Sequence, residues 1–363
     1  MHLAWLELQE FRTYESMRWV PDPGVNVLVG PNAVGKTNIL EAVAYLAALK
    51  SFRGVPDAVL VNTGAPGAVV RGEIGRGGSD VLIEIELPAE GRRRAQVNRQ
   101  RLSKVGDLLG HIRTVSFLPD DLDVVKRGPG YRRDLIDAVA VQIWPGAHRD
   151  QQEYDKVLRQ RNSLLRQMVR DVDSVTLAVW DERLSEAGAR VMARRHATLA
   201  SITGGTNAMY QQLSSSETVV SIDYRSHWGA ERATTAQEWE RNLAEALSDA
   251  RRADMDRRVT TVGPHRDDPV ILLDDQDSRT HASQGEQRTV TLALRLSAHQ
   301  AIAEQIGESP ILLLDDVFSE LDPLRAAALA EALPDAQTLI TTARDDEVPI
   351  GGRRWSVELG RVT

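Results

Sequence analysis

Residues 30–37 combine glycine, lysine and threonine at a spacing that suits phosphate chemistry. They spell Gly-Pro-Asn-Ala-Val-Gly-Lys-Thr, which fits the pattern G-x-x-x-x-G-K-[ST]. Glycines allow backbone N–H groups to curl around phosphate oxygens, and a helix that begins at the end of the loop adds a favourable dipole. Lys36 is expected to reach the β- and γ-phosphates, and the Thr37 hydroxyl to ligate Mg²⁺.

Lysine is rare in this chain, which makes a chance match to that pattern less probable. Only five of the 44 basic residues are Lys, and one of them is Lys36. The pattern also follows an apolar run and precedes a helical one, which is the context that a phosphate-binding loop requires. We therefore predict a site for ATP. Its predicted residues are Gly30, Pro31, Asn32, Ala33, Val34, Gly35, Lys36, Thr37 and Asn38.

Two carboxylates, Asp315 and Asp316, follow the apolar run Ile311–Leu314. A continuous apolar run is typical of a buried parallel strand, and α/β folds bind ligands at the C-terminal ends of such strands. Asp315 is expected to hold Mg²⁺ directly or through water. Asp316 is expected to orient or deprotonate an attacking water, so the predicted catalytic residues are Asp316 and Lys36. A strand that ends in Asp is common for structural reasons, but its position downstream of a phosphate-binding loop favours catalysis.

A second anion-binding surface is predicted at Ser283-Gln284-Gly285-Glu286, where a helix begins. The loop at 30–37 already covers one side of the phosphates. Ser283, Gln284 and Gly285 are therefore expected to contact a nucleotide held by another copy of the chain. Two nucleotides sandwiched between two heads is the arrangement of an ABC-type ATPase dimer. Ser319-Glu320-Leu321-Asp322, which follows the carboxylate pair, fits the same interpretation.

The elements that must position these residues alternate in type at both ends of the chain. Strands are expected at Val25–Val29, Val81–Leu87, Thr114–Leu118, Val219–Tyr224, Val259–Val262, Val270–Leu273, Ile311–Leu314 and Thr338–Thr342. Helices are expected at Lys36–Leu49, Trp239–Leu247, Glu286–Gln305 and Leu324–Leu333. Between Arg132 and Ala200 the pattern is helical, and Trp180, Leu184, Ala187 and Val191 share one face.

These elements predict an α/β fold, an ABC-type ATPase head with a phosphate-binding loop, assembled from both chain ends around a mostly helical inserted lobe. We expect residues 1–128 and 256–363 to form the head and residues 129–255 to form the lobe.

Composition limits the classes of protein to which the chain can belong. Its 363 residues are 42% hydrophobic and 26% charged, which is typical of a globular protein. No apolar run approaches the ~18 residues of a membrane span, and there is no Cys, so we expect a cytoplasmic protein with no membrane partner. The net charge of −8 argues against a nucleic-acid partner, but it is concentrated in residues 259–363, which carry 9 basic and 18 acidic residues.

Several longer motifs make a family resemblance specific. Phe11-Arg12-Thr13-Tyr14, the run Phe117–Leu122 with Arg132-Arg133, the helix around Arg161-Asn162 and the string Gly263-Pro-His-Arg-Asp-Asp268 are all similar to motifs of the RecF family. This family comprises recombination-mediator ATPases related to SMC heads, and the match runs nearly from end to end. Transporter ATPases carry neither the 263–268 string nor such a helical insertion.

The resemblance implies an ATP-dependent DNA-binding protein of recombinational repair and replication, acting in DNA damage and the SOS response. It implies a weak, DNA-stimulated ATPase in which ATP acts mainly as a dimerisation switch. The implied partners are double-stranded and gapped DNA, a second copy of the chain, and RecR and RecO. It further implies that Arg12 contacts the nucleotide near the phosphates; an edge-strand Arg on the surface is the alternative.

Three departures from the usual ABC pattern accompany the resemblance. Asp316 stands where most ABC ATPases have Glu, which predicts slow hydrolysis. Thr341-Thr342 replaces the switch His, and no obvious Q-loop Gln stands near Phe117–Leu122, so that Asp120 or Asp121 is a candidate substitute. The alternatives are another SMC-like chromosome or nuclease-associated ATPase, the ATPase subunit of a transporter, and a binding module with an inactive site.

A basic cluster is a candidate for contact with DNA. Arg92, Arg93 and Arg94, with Arg99 and Arg101, are expected on a β-hairpin, where they either meet phosphates or form ordinary solvated surface. His265 is either a structural histidine or a neighbour of the active site. The seven Trp are scattered and are expected in the core.

Overall fold

A computed structural model describes residues 1–167 and 174–363, except for the side chains of residues 120, 174 and 175. The strands are β1 His2–Phe11, β2 Tyr14–Trp19, β3 Val25–Val29, β4 Gly67–Arg76, β5 Ser79–Pro88, β6 Arg94–Val97, β7 Gln100–Arg101, β8 Thr114–Phe117, β9 Val220–Arg225, β10 Asp268–Leu273, β11 Gln276–Asp277, β12 Ile311–Asp315, β13 Thr338–Thr342, β14 Arg353–Glu358 and β15 Arg361–Val362. The helices are α1 Lys36–Ala48, α2 Asp123–Lys126, α3 Pro129–Ile143, α4 Gly146–Gln167, α5 Ser174–Ser214, α6 Ala236–Arg257, α7 Ser278–His281, α8 Gln284–Ile306 and α9 Pro323–Ala332.

The chain forms two compact units. Unit 1 comprises residues 1–121, 208–217 and 289–363, and unit 2 comprises residues 122–207 and 218–288. Unit 1 is thus assembled mainly from both chain ends, and most of the insertion forms unit 2. Within the described residues, no helix is long and apolar enough to cross a bilayer.

Unit 1 contains two six-stranded sheets. The first is antiparallel, in the order β2-β1-β4-β5-β6-β7. The second has the order β15-β14-β3-β13-β12-β8, and all its strands except β15 run parallel. Helix α1 packs on β4 and β5 of the first sheet and on β8, β12 and β13 of the second. Its residues are almost all buried because both sheets cover it.

The parallel sheet determines which loops meet. Strands β3, β13 and β12 are consecutive neighbours, so their C-terminal ends lie side by side at one edge. The loop at 30–37 follows β3, Thr342 ends β13 and Asp315 ends β12. All five residues of β12 and of β13 are buried, as the continuous apolar run at Ile311–Leu314 predicts.

Unit 2 is mainly helical and contains a small antiparallel sheet in the order β11-β10-β9. Its core lies between α4, α5 and α6, with Leu184, Ala187 and Val191 fully buried and Trp180 packed against them. The helical spacing predicted for these four residues is therefore confirmed.

The strand expected at Val259–Val262 is wrong. These residues form a loop, because side chains satisfy their backbone donors. The N–H of Thr260 donates to Asn162 Oδ1 and that of Thr261 to Asp254 Oδ1, each at 2.8 Å. Strand β10 then pairs with β9, so that residues 256–288 belong to unit 2 rather than to the head segment 256–363 expected from the sequence.

The expected placing of all seven Trp in the core is only partly right. Trp19, Trp228 and Trp239 are buried, whereas Trp5, Trp144, Trp180 and Trp355 are partly exposed.

Candidate nucleotide site

The loop at 30–37 is shaped by backbone positions that only small residues tolerate. A Cβ on Gly30 would lie 2.3 Å from the carbonyl oxygen of Val357. Gly35 has a φ of 110°, and a Cβ there would meet the Thr13 hydroxyl at 2.8 Å. Gly35 caps α1 without a side-chain hydrogen bond, so the first N–H groups of the helix are left for a ligand. Pro31, Asn32 and Ala33 at the tip of the loop are exposed.

Two residues at the end of the loop are held by neighbouring side chains. Val34 is half-buried, and Asn38 is buried and donates to the Thr13 hydroxyl at 3.1 Å. Tyr14 donates its hydroxyl proton to the Gly35 carbonyl at 3.2 Å. Thr13 and Tyr14 belong to the motif that begins at Phe11, which therefore supports the loop directly.

Lys36 is folded back along the loop. Its Nζ donates to the carbonyl oxygens of Gly30 at 2.7 Å and Pro31 at 2.9 Å. Burial lowers the pKa of the Lys36 ammonium, and the neighbouring charges of Asp316 and Asp315 oppose this shift. A buried ammonium held by neutral carbonyls is an electrostatic site for an anion, because phosphate oxygens would stabilise the charge better.

Thr37 and Asp315 meet in the way that the sequence predicts. The Thr37 hydroxyl donates to Asp315 Oδ1 at 2.8 Å, although 278 positions separate them in the chain. Thr341, on the strand between them, donates to the same Oδ1 at 2.6 Å. The Asp315 carboxylate is thus fixed at the strand end, beside the hydroxyl that is expected to share its metal ligand role.

Asp316 lies next to this pair, with a left-handed backbone at φ 53°. Its N–H donates to the Thr341 carbonyl and hydroxyl at 3.2 and 3.0 Å. Its Oδ1 is buried and has no hydrogen-bond partner in the described part of the chain. Burial raises the pKa of the Asp316 carboxyl, the Lys36 charge lowers it, and Asp315 raises it further. A strained, incompletely satisfied carboxylate is typical of a functional position.

The residues present fit Mg²⁺ bound together with a triphosphate. The paired oxygens of Thr37 and Asp315 are hard oxygen ligands, which Mg²⁺ prefers, and the orphaned Oδ1 of Asp316 beside them is able to accept from a water. Among the described residues, no group of three or more His, Cys, Asp or Glu is placed to hold a metal. Such a site therefore depends on phosphate oxygens and water for its remaining ligands, as is usual for Mg²⁺ with nucleotides.

Arg12 is held by α1. Its Nε and Nη2 donate to the two carboxylate oxygens of Glu41, each at 2.8 Å, and its Nη1 donates to the Val59 carbonyl at 3.2 Å. Glu41 is fully buried and also accepts from the Ser51 hydroxyl at 2.5 Å. To contact a nucleotide, Arg12 would have to leave or share this carboxylate.

The predicted second anion-binding surface lies in unit 2. Ser283 caps α8: its Oγ accepts from the Glu286 N–H at 3.3 Å, and the Glu286 carboxylate accepts from the Ser283 N–H at 2.7 Å. This reciprocal pair is a capping box. Ser283 and Gln284 are exposed and Gly285 is half-buried. The hydroxyl accepts within the cap, which leaves its proton for a ligand.

Two of the residues at positions that depart from the usual ABC pattern contact other residues of unit 1. Asp121 accepts from the Leu118 N–H at 2.9 Å and from Arg295 at 2.6 Å, so its carboxylate supports the fold locally. The side chain of Asp120 lies outside the described residues. Thr342 donates to the Glu347 carboxylate at 2.8 Å.

Thr341 has a role that sequence reasoning missed. It bridges Asp315 and Asp316, whereas the sequence singled it out only as part of the replacement for the switch His.

Comparisons with known proteins agree with this geometry. Residues 2–351 match the family model described as RecF/RecN/SMC N terminal domain. The chain is 38% identical to the DNA replication and repair protein RecF of Streptomyces avermitilis, covering 100% of this chain and 99% of that protein. It is also 38% identical to the RecF protein of Kineococcus radiotolerans, at 100% and 98% coverage.

Solved structures give the same result. A structure of the recombination mediator protein RecF-ATPrS in the RecFOR pathway superposes with a TM-score of 0.93 at 32% identity, covering 99% of this chain and 97% of that one. A structure of RecF-ATP gives a TM-score of 0.91 at 32% identity, covering 100% of this chain and 98% of that one. An SMC head bound to a winged-helix domain of ScpA, at 16% identity and a TM-score of 0.58, shares the fold. The predicted ABC-type head with an inserted helical lobe is confirmed, and the chain belongs to the RecF family of RecF/RecN/SMC proteins.

Proposed function

We propose that this protein is an ATP-dependent DNA-binding protein of recombinational repair and replication. ATP and Mg²⁺ bind at the loop of residues 30–37, two copies close around two nucleotides, and the closed dimer clamps DNA until slow hydrolysis releases it. The observation that carries the ATP site is the contact of the Thr37 hydroxyl with Asp315 at 2.8 Å, beside an Asp316 carboxylate whose Oδ1 is unsatisfied among the described residues.

Different residues of unit 1 have different roles in hydrolysis. The open N-terminus of α1 and Lys36 bind the phosphates, and Thr37 with Asp315 holds the metal. Mg²⁺, when bound, neutralises charge on the phosphate oxygens. Asp316 orients the attacking water and accepts its proton. Its carboxylate is one methylene shorter than the Glu usual in ABC ATPases, which supports a slow reaction.

ATP acts as a population switch in this proposal. Ser283 and Gly285 of one copy, with Gln284, contact the γ-phosphate held by the other copy, so ATP binds the dimer better than the monomer and shifts the equilibrium towards it. The capping box fixes the Ser283 hydroxyl at the helix N-terminus, where the dipole also favours an anion.

The biological setting follows from the relatives. They are named DNA replication and repair proteins, and the solved neighbours are described as mediators in the RecFOR pathway. We infer double-stranded and gapped DNA, RecR and RecO as partners, a cytoplasmic location and a weak, DNA-stimulated ATPase. Similarity that extends over both ends and the insertion favours this function over a transporter ATPase or another SMC-like ATPase.

The ATP site is tested by calorimetric titration of ATP with Mg²⁺ into the wild type and Lys36→Met. We expect Lys36→Met to lose at least tenfold in affinity, because a charged hydrogen bond contributes about 1.5–3 kcal/mol. Lys50→Met is the matched control, since Lys50 is exposed at the other end of α1. Unchanged affinity of Lys36→Met would refute the assignment of the loop.

A further inference from the structure

The segment 90–104 is the most basic part of unit 1. It contains six basic residues and one acidic residue, in a chain whose net charge is −8. The segment forms the hairpin β6–β7 at one edge of the antiparallel sheet. The hairpin predicted for this arginine cluster is therefore present, and its cations can be sorted by what each one contacts.

Two of the arginines bind the protein itself. Arg93 Nη1 donates to the Tyr45 hydroxyl at 2.9 Å and to the Leu49 carbonyl at 2.5 Å, and it pairs with Asp57. This anchors the base of the hairpin on the C-terminal end of α1, the helix whose N-terminus faces the nucleotide site. Arg94 pairs with Glu86 on the adjacent strand. Neither is a free cation.

The other four cations are Arg92, Arg99, Arg101 and Lys104, which we call the hairpin cation cluster. All four are exposed, and among the described residues none of them makes an ion pair or a side-chain hydrogen bond. Four uncompensated positive charges in one short segment raise the positive potential around that segment.

Paired arginines elsewhere on the same sheet show that this lack of ion-pair partners is not general. Arg18 and Arg71 lie opposite Glu7 in the register of β2, β1 and β4, and Arg71 also lies opposite Glu84 of β5. Arg71 pairs with Glu7 at 2.8 Å and with Glu84, and Arg18 lies 3.6 Å from Glu7. Charge is compensated across these strands and uncompensated at the hairpin.

The turn of the hairpin places an arginine at a strained backbone position. Asn98 and Arg99 are its central residues, with φ of 50° and 65°. Positive φ at both positions is the type I′ geometry, for which Asn-Gly is strongly preferred. Asn98 suits its position and accepts from the Leu82 N–H at 2.9 Å. Arg99 occupies the position where glycine would be free of strain.

We propose that the hairpin cation cluster binds the phosphate backbone of duplex DNA, independently of sequence. The proposal rests on the DNA-binding part of the proposed function and names the surface involved. Exposed, unpaired cations match phosphate by charge, and contacts of this type carry affinity without base readout. The anchor of Arg93 on α1 would hold this surface at a fixed place relative to the ATP site.

The test is the salt dependence of DNA affinity in the presence of ATP and Mg²⁺. The affinity of the full chain for a fluorescent duplex is measured from about 50 to 200 mM salt. For the variant R92Q/R99G/R101Q we expect the slope of log K against log salt to fall by roughly 2.7, about 0.9 for each phosphate that the variant no longer neutralises. At about 0.15 M salt this corresponds to an affinity that is roughly a hundredfold weaker.

The matched control removes three arginines that already have carboxylate partners in unit 1. The variant R18Q/R94Q/R354Q changes net charge by the same amount, and these residues pair with Glu7, Glu86 and Asp345. We expect its slope to change by less than about 1. Equal slopes for the two triple variants would overturn the proposal, since the effect would then follow net charge alone.

The single variant Arg99→Gly separates binding from folding. Because glycine relieves the left-handed strain, we expect its Tm to be unchanged or raised, while the salt slope falls by about 0.9. A wild-type slope with a normal Tm would count against a DNA contact by Arg99.

Failure of this proposal and failure of the proposed function give different results. If the wild type binds duplex DNA and R92Q/R99G/R101Q binds equally well, only the hairpin surface is wrong. If the wild type fails to bind duplex with ATP, both the DNA-binding function and this proposal are overturned. Binding of polyglutamate through the cluster without binding of duplex would replace DNA by an acidic protein segment and would also overturn the proposal.

Discussion

Two of the Asp-Asp pairs that border strands in this protein use their carboxylates in opposite ways. Asp315-Asp316 lies at the end of β12 in unit 1, and Asp267-Asp268 lies at the start of β10 in unit 2. In the first pair, Oδ1 of Asp316 is buried without a partner in the described part of the chain. In the second pair, both carboxylates are satisfied by neighbouring side chains.

The second pair holds unit 2 together. Asp267 accepts from the Tyr224 hydroxyl and from Trp228 Nε1, each at 2.9 Å. Asp268 receives two parallel hydrogen bonds from the guanidinium of Arg132, at 2.8 and 2.9 Å. A satisfied carboxylate stabilises a fold, whereas an unsatisfied one beside a lysine and a phosphate-binding loop is ready for a ligand. Both pairs are Asp-Asp in the sequence, and only the hydrogen-bond partners of their carboxylates distinguish them.

The largest effect on activity is expected when Asp316 becomes Asn. ATP turnover should fall by about 10²- to 10⁴-fold, because general-base assistance is lost, while thermal stability is unchanged. Steady-state phosphate release and a thermal melt measure the two quantities. Asp335→Asn, at an exposed position of the same unit, is the control. Turnover equal to that of the wild type would remove Asp316 from the mechanism.

The largest effect on stability is expected from Asp268→Ala. Arg132 is 5% exposed and would lose its carboxylate, which should lower the free energy of unfolding by about 3 kcal/mol. Denaturant unfolding measures this change. Asp223→Ala, whose partner Arg225 is about half exposed, should lower it by less than about 1 kcal/mol. A larger loss for Asp223→Ala than for Asp268→Ala would contradict the assignment of structural roles.

Acid should destabilise the protein partly through two buried histidines, one in each unit. Burial lowers the pKa of His299 in unit 1 and of His265 in unit 2 to about 4. Each histidine takes up its proton more readily when unfolded, so its contribution to stability is complete above about pH 6.5 and is lost as the pH falls towards 4. At about pH 5 we expect each to have cost about 2 kcal/mol.

Asp267 of unit 2 changes this pH dependence. Burial raises the pKa of Asp267 to about 6, so between about pH 4 and 6 this carboxyl binds a proton more readily in the folded protein than in the unfolded chain. Through this group, acid therefore stabilises the folded protein. The contributions of His265 and Asp267 to the pH dependence of stability therefore partly cancel within unit 2, and His299 contributes in unit 1. His299→Gln and His265→Gln should each flatten the plot of unfolding free energy against pH between about 6.5 and 5 by a similar amount, because the pKa of each histidine is lowered to about 4 and Asp267 remains in both variants. A variant that keeps the slope of the wild type would contradict the role of that histidine.

The smallest effect is expected at Thr341. Thr341→Val removes the hydroxyl that orients Asp315 and accepts from the Asp316 N–H, so we expect about 1 kcal/mol less stability and turnover reduced roughly tenfold. Thr338→Val, on the same strand, is the control, because that hydroxyl donates only to the nearby Ala336 carbonyl among the bonds described. Equal turnover in the two variants would place Thr341 outside the site.

Local patterns in the sequence were sufficient for much of the fold and site. The loop at 30–37 is contiguous, and the apolar run before Asp315 indicates a buried strand without any knowledge of its neighbours. Ser283 and Glu286 are three residues apart, so their capping box is a local feature as well. Such elements are determined by residues that are close in the chain.

Features that depend on distant partners could not be predicted. Val259–Val262 has the composition of a strand, but Asn162 and Asp254 satisfy its backbone donors from other helices. Arg93 and Arg99 look alike in the sequence, yet one is an anchor on α1 and the other is exposed. The bridge made by Thr341 requires β13 to lie beside β12.

The proposed ATP switch is tested most directly by the mass of the protein in solution. Sedimentation of the wild type with short duplex DNA is compared without nucleotide and with ATP and Mg²⁺, beside Ser283→Arg, which blocks the surface that reaches the second copy. We expect the 40.1 kDa chain to be a monomer without nucleotide and to double its mass with ATP, while Ser283→Arg stays monomeric. A wild type that remains at 40.1 kDa under all conditions would contradict the sandwich dimer.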